Sequence, residues 1–418
     1  MPIARHTPAY RALSTAMLVA GFATFALLYC TQPLLPRFAA EFAITPAAAS
    51  LAVSLATGPL AVAILFAAVV ADRVGHRPVM IGALGSAAVL TALTAARSAA
   101  VLTALTAAVP GWHLLLVMRL LTGVALAGIP AVAMAYIADE VDAAAIGPAM
   151  GLYIAGSAIG GMAGRLGVAV VTEHFGWRVA IAATGATGIV AAIVFAALVP
   201  RSAGFVSRRP SRAAWVAGVR RIFADGALPW LYAAAFVLMG VFVTVYNYVG
   251  FRLRAAPYGL GDSAVGAVFL LYIVGSFSSA WVGGIAGRRG RRKIFWMPIV
   301  ALIAGVALTA ATPLPLVILG IAVVTAGFFG AHSIASSWVG RRARGDRAQA
   351  AALYLFFYYL GSSVLGSAGG VAWSWAGWPG VAGFCGVLGV AALGIGARLS
   401  GVPPLPEPEG SVALASAG

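Results

Sequence analysis

Apolar residues in this chain come in long unbroken runs, neither alternating nor striped. The first run, Leu13 to Leu35, contains no charged residue. A helix rises about 1.5 Å per residue, so a run of about 20 residues crosses a hydrocarbon core of about 30 Å. Twelve such runs can be read, with boundaries good to a few residues: 12–36, 48–71, 78–108, 112–138, 144–170, 177–199, 227–251, 260–286, 293–311, 314–339, 348–373 and 378–398. They are apolar all round, whereas strands of a membrane barrel alternate over about 10 residues. The pattern predicts an all-α integral membrane protein with twelve transmembrane helices.

Composition agrees. Hydrophobic residues make up 62% of the 418 and charged residues 9%, against about 25% charged in soluble domains. The formal net charge of +16 comes from 27 basic and 11 acidic residues. In a soluble chain that excess would suggest nucleic acid, but the charges sit in alternate gaps between runs. With the N-terminus placed in the cytoplasm, about 20 of the basic residues fall inside, and Arg37, Arg97, Arg119, Arg165, Arg178, Arg252 and Arg254 are scattered elsewhere. The excess of inner Lys and Arg orients such proteins, so both termini are expected in the cytoplasm. There is no zinc finger, basic helix or aromatic ladder, so nucleic acid is not an expected partner. Cys30 and Cys385 both fall inside apolar runs and imply no disulfide framework.

The longest hydrophilic segment lies mid-chain. It divides the sequence into an N-terminal six-helix bundle (1–200), a cytoplasmic basic linker (201–226), a C-terminal six-helix bundle (227–400) and a disordered tail (401–418). In the linker Arg208, Arg209, Arg212, Arg220 and Arg221 interleave with Trp215, Val219, Ile222 and Phe223. Two readings stand: an amphipathic helix on anionic headgroups, or a solvated linker. The halves echo each other. Phe25, Tyr29 and Arg37 match Phe242, Tyr246 and Arg254. Leu152, Tyr153 and Gly160 match Leu353, Tyr354 and Gly361. The turn at residues 72–77 matches 287–292. Duplication of a six-helix unit is the mark of a rocking transporter. A second repeat is local: Ser86 to Arg97 is followed at once by a copy, Ser98 to Val109. It stretches the third run to roughly 45 Å, so that helix should break near Arg97 or project outward; a neutral lengthening of an outer loop is the plainer reading.

The chemistry begins at the turn after the second run. Asp72 stands at a helix end, and Arg73 and Arg77 follow across a tight turn at Gly75. A carboxylate placed so can latch two helices at the membrane face; a plain charged turn is the alternative. Asp72-Arg-Val-Gly-His-Arg77 resembles the D-R-x-G-R-[RK] loop of the major facilitator superfamily, with Ala68 for the usual leading Gly and His76 for the first basic residue after Gly. The second copy keeps a leading Gly283 but has Gly287 for the Asp. Arg119-Leu-Leu-Thr-Gly123 resembles the superfamily's R-x-x-x-G motif. The fifth run, with Gly151, Gly156, Gly160, Gly161 and Gly164, resembles its Gly-rich antiporter motif, with Ser157 where that motif has Pro. The segments 25–33 and 353–363 are similar to bacterial inner-membrane permeases of the YnfM type, often grouped with sugar-efflux and drug:H⁺ antiporters. The likeness covers about residues 10–400.

That resemblance implies the major facilitator fold, two six-helix bundles in the bacterial inner membrane. It also implies proton-coupled efflux of a small organic solute by alternating access; the alternative is proton-coupled uptake of a sugar or organic anion. The partners expected are a small-molecule substrate, protons and the lipid bilayer, with the chain acting as a monomer. By resemblance the first, fourth, seventh and tenth spans line the cavity, offering Tyr29, Gln32, Tyr246, Asn247, Tyr248 and His332, with Tyr153, Tyr354, Tyr358 and Tyr359 from the fifth and eleventh. Packing or an interfacial belt is the alternative for the tyrosines. Arg119, roughly 10 Å below the outer surface, would couple protons or gate helices; a snorkelling arginine is the plainer reading. His332 is a candidate proton carrier, or a packing histidine. Arg165 and Arg252 read as interfacial anchors, with a positive vestibule for anions as the alternative. No acidic residue lies at the centre of a run, which argues against cationic drugs. No P-loop, metal cluster or nucleophile elbow is present, so no cofactor, metal or enzymatic activity is expected.

Overall fold

The computed structural model describes residues 3–95, 111–202, 211–343 and 345–403. Its architecture is helical: α1 (Pro8–Tyr29), α2 (Leu35–Glu41), α3 (Pro46–Val74), α4 (His76–Thr94), α5 (Gly111–Leu126), α6 (Ala133–Glu140), α7 (Ala143–Phe175), α8 (Trp177–Leu198), α9 (Arg212–Ala224), α10 (Leu228–Arg254), α11 (Asp262–Ala267), α12 (Tyr272–Arg289), α13 (Arg291–Ile294), α14 (Trp296–Thr309), α15 (Leu314–Arg342) and α16 (Arg347–Ser400). Ten helices among the described residues are long and apolar enough to cross a membrane. One of them, α16, would measure roughly 81 Å if straight. Its backbone leaves helical geometry at Ala376 and Gly377, which makes it two spans. With α5 and α6 joined as another, the predicted twelve are present.

Two of the predicted runs are interrupted at a proline. Residues 12–36 were read as continuous, but α1 ends at Tyr29 and a three-residue turn, Gln32–Leu34, precedes α2. Residues 112–138 likewise split between α5 and α6. Pro33 stands four residues after Tyr29 and Pro130 four after Leu126. A helix would need a proton on each proline nitrogen to reach those carbonyls, and proline has none. The described part of the third span, α4, ends at Thr94 inside the first copy of the tandem repeat; Arg97 and the second copy lie outside the described residues. The mid-chain segment contains the helix α9, capped by Ser211.

Apolar side chains cover the outside. Phe66, Phe277, Trp281 and Trp375 are exposed, while Gln32, Arg119, Arg165 and Asn247 are buried. This inversion of a soluble protein fits a chain solvated by lipid. Within each half the first helix packs on the fifth: α1 on α7, and α10 on the first arm of α16. Close approach there requires glycine. A Cβ on Gly160 would meet the Phe22 carbonyl oxygen at 2.0 Å, and one on Gly361 the Phe236 carbonyl oxygen at 2.0 Å. Gly160 and Gly361, matched in the sequence, thus do the same work in both halves. So do Gly75 and Gly290, which turn the chain at φ 101° and 93°. Between the halves, α3 packs on α16 and α7 on α11.

Candidate functional site

The break after Tyr29 organises the polar interior. It leaves carbonyls at the end of α1 without intrahelical partners. Arg119 on α5 fills that gap, donating from Nη1 to the Leu27 carbonyl at 3.0 Å, from Nη2 to that of Leu28, and from Nε to that of Ala52 at 3.1 Å. It is fully buried, so it does not snorkel; it ties α5 to α1 and α3 within the first half.

The break also turns Gln32 inward. Arg165 on α7 donates from Nε to Gln32 Oε1 at 2.6 Å, and Gln32 Nε2 donates to Asn247 Oδ1 on α10 at 2.8 Å. This chain crosses from one half to the other. The Arg165 guanidinium lies 4.2 Å from the Tyr29 ring centroid and within 5.3 Å of those of Phe269 and Tyr272. Arg165 is 3% exposed, and ten residues separate it from the end of α7, roughly 15 Å along the axis. The expectation that it anchors at the interface is therefore corrected. One signal was available: Gly156, Gly160 and Gly164 form a stripe against α1, and Arg165 follows that stripe directly, on a face turned from lipid. Arg252 is also tied to protein. It donates to the Thr309 and Ala311 carbonyls and caps the end of α14.

The remaining cavity candidates separate into two groups. His332 Nδ1 and Tyr354 Oη are 2.9 Å apart, and the His332 and Tyr358 rings lie at 4.9 Å. Tyr358 and Tyr359 are in edge contact, and Tyr153 is buried on α7. Tyr246 and Tyr248 are engaged elsewhere in the second half. Tyr246 shares a hydrogen bond with Thr325 at 2.8 Å, and Tyr248 donates to the Gly366 carbonyl and stacks on Trp373.

On the face opposite the termini the halves are sealed. Arg37 holds Asp262 Oδ2 from Nε at 2.8 Å and from Nη2 at 2.6 Å, and Arg254 holds the other oxygen. Asp262 is 5% exposed. Glu173 accepts from the Ser263 amide. Slightly deeper, Ser363 donates to the Ser54 carbonyl and Ser367 to Ser54 Oγ. None of these partners was singled out from the sequence as a gate, although Arg37 and Arg254 had been matched by position.

On the face of the termini the motif residues sit within the first half. Arg77 donates to the Ala196 and Val199 carbonyls and caps α8. His76 Nδ1 is 3.7 Å from Asp139. Arg73 is exposed, and Asp72 is half-buried with no ion pair or hydrogen bond among the described residues. The second half there is tied to α9 by Arg221 with Asp346 and to the loop before α10 by Arg342 with Asp225.

Comparison with known proteins gives the same picture. The sequence profile of the Major Facilitator Superfamily matches residues 17–366. The chain is 41% identical over 399 residues to the inner membrane transport protein YnfM of Escherichia coli, covering 95% of this chain and 92% of that protein. It is 40% identical over 405 residues to an uncharacterized MFS-type transporter, YybF, of Bacillus subtilis, covering 97% of each. Among solved structures, a bacterial homolog of the human lysosomal transporter Spinster, in its inward-facing and unoccupied conformation, superimposes with a TM-score of 0.70 at 15% identity, covering 94% of this chain and 95% of that one. The nucleoside transporter NupG superimposes with a TM-score of 0.70 at 16% identity, covering 92% and 99%.

Proposed function

The chain belongs to the major facilitator superfamily and is a multi-pass membrane transporter, not an enzyme; from that premise we propose that it moves a small organic solute by proton-coupled alternating access, in the direction of efflux. The observation that carries this reading is the Arg165–Gln32–Asn247 chain, which joins the two halves at mid-depth beneath a sealed outer face. A solute bound there would touch both bundles, as rocking around a fixed site requires.

The seal and the latch supply the two ends of the cycle. Asp262 with its two arginines closes the face opposite the termini. Asp72, Arg73, Gly75 and Arg77 form the latch on the other face, with Asp72 released in this state. With both termini in the cytoplasm of a bacterial inner membrane, this is the inward-facing conformation of a monomer. Arg119 gates by fixing the end of α1 while α2 moves. His332, beside Tyr354 and Tyr358, carries the proton. The E. coli relative is named as an inner membrane protein, which supports the location.

The test is reconstitution into liposomes with an imposed pH gradient. Efflux coupling predicts that added solute drives protons opposite to the solute; protons moving with the solute would give proton-coupled uptake. Solute exchange without any proton movement would remove the coupling.

A further inference from the structure

Among the described residues two arginines lie buried within the spans, and their surroundings differ. Arg119 places its three kinds of guanidinium nitrogen on carbonyls of the first half alone. Arg165 bonds through Nε to Gln32 and through Nη1 to the Gly161 carbonyl. Three aromatic rings face it, Tyr29 from the first half and Phe269 and Tyr272 from the second. Ring faces attract a cation but leave its net charge in place. Among the described residues no carboxylate pairs with it.

The hydrogen-bond chain from Arg165 fixes what the neighbours still offer. Arginine can only donate. Gln32 must therefore turn Oε1 to it, which leaves Nε2 facing Asn247. That amide must then present Oδ1, so Asn247 Nδ2 is left over. It is buried and without a partner, and so are Tyr29 Oη and, on α16, Ser362 Oγ. Ser362 lies beside Tyr29 but outside hydrogen-bonding geometry. Asn247 is 1% exposed and Tyr29 2%. An unpartnered donor at such depth is costly, and here it adjoins an uncompensated cation. A neutral polyol could satisfy the free donors but would leave the charge unbalanced. A carboxylate does both.

We infer that Arg165, Asn247 and Tyr29 form the recognition site for the carboxylate of a small organic anion, at the point where the two bundles meet. This rests on the transporter reading and narrows its substrate class. The anion would accept from the guanidinium, from Asn247 Nδ2 and from the Tyr29 hydroxyl, taking contacts from both halves.

The experiment uses the purified full-length chain with matched acid and amide pairs: benzoate and benzamide, lactate and lactamide, succinate and succinamide. Binding is read by thermal unfolding and by calorimetry. At least one acid should stabilise the protein, with its amide at least about tenfold weaker, since charged hydrogen bonds are roughly twice as strong as neutral ones. Arg165→Gln should abolish the preference, and Tyr29→Phe, which keeps the ring over the guanidinium, should weaken acid binding by about three- to tenfold. Should Arg165→Gln fail to fold, Asn247→Asp tests the same point, because it replaces the free donor with an anion of equal shape. Acid binding unchanged in the folded variants, or no acid of the panel stabilising the wild type, would overturn the site. Counterflow in liposomes separates this from the transporter reading. Sugars exchanging while acids stay inert would overturn the anion site and leave transport standing. Acids that bind without exchanging would keep the binding site and overturn its assignment to the transported solute.

Discussion

Arg37 and Arg254 occupy matching positions in the two halves and grip opposite oxygens of one carboxylate, Asp262. A feature duplicated with the six-helix unit has thus become a joint between the copies. The second half supplies Asp262 and Arg254, and Arg37 reaches across from the first.

Removing that carboxylate should open the face it seals. Asp262→Asn weakens charge-assisted bonds worth about 2 kcal/mol, or roughly thirtyfold in population. A cysteine placed at Ser50, which is fully buried, should then react faster with an impermeant thiol reagent added on that face. Unchanged reactivity would show that the serine contacts below hold the seal by themselves.

Arg119→Ala should leave the protein inserted but without coupled transport. It strips the Leu28 carbonyl of its donor, while the Leu27 and Ala52 carbonyls keep only Cys30 and Thr31, at a cost of about 1–3 kcal/mol for a buried group left unpaired. The prediction is a lowered melting temperature with solute-driven proton movement lost. Wild-type rates would rule out the gating role.

Asp72→Asn should act in the opposite sense from Asp262→Asn. Asp72 has no described partner in this state, so its loss should leave this state's stability unchanged and destabilise the state in which the latch is closed. Cysteine accessibility on both faces reports the balance, and an unaltered pattern would remove the latch.

The attachment of α9 should loosen in acid. Arg221 beside Asp346 holds that carboxyl below its ordinary range. A depressed carboxyl stabilises the folded form above its unfolded pKa of about 3.9, and the contribution is lost as pH falls further, through the folded value. Amide exchange in residues 212–224 should therefore accelerate below about pH 4, and also in high salt, because the pair is exposed. Exchange indifferent to both would show that α9 is held by its apolar face.

Gly160→Leu should prevent assembly of the first bundle, since even a Cβ overlaps the Phe22 carbonyl. Gly361→Leu should do the same to the second. Yield of monodisperse protein after extraction measures both, and normal yield would mean that the helices can part without loss of the fold.

Much of this architecture was legible because each apolar run reports one span and each glycine stripe one helix contact. The breaks after Tyr29 and Leu126 were visible as Pro33 and Pro130, yet hydropathy hides them, because proline does not interrupt an apolar average. The site was harder to read. Tyr29, Gln32 and Asn247 were named, but Arg165 was placed at the interface, because sequence gives depth along a helix and not which neighbour it faces. Asp262 reads in the sequence only as an acid near the start of a run, and the fold brings Arg37 to it from 225 residues away. Tyr246 and Tyr248 show the converse: neighbours of Asn247 on one helix, they turn to other partners because each residue rotates about 100° from the last.

The proline break after Tyr29 has a mechanical consequence. Residues 32–41 form a stiff crank roughly 15 Å long, anchored at neither end by continuous helix. Gln32 rides at its inner end and Arg37 about halfway along. A solute that displaces Gln32 would therefore pull directly on the arginine that shuts the mouth opposite the termini. Occupancy and gate then share a single moving part, and no relay through the rest of the protein is required.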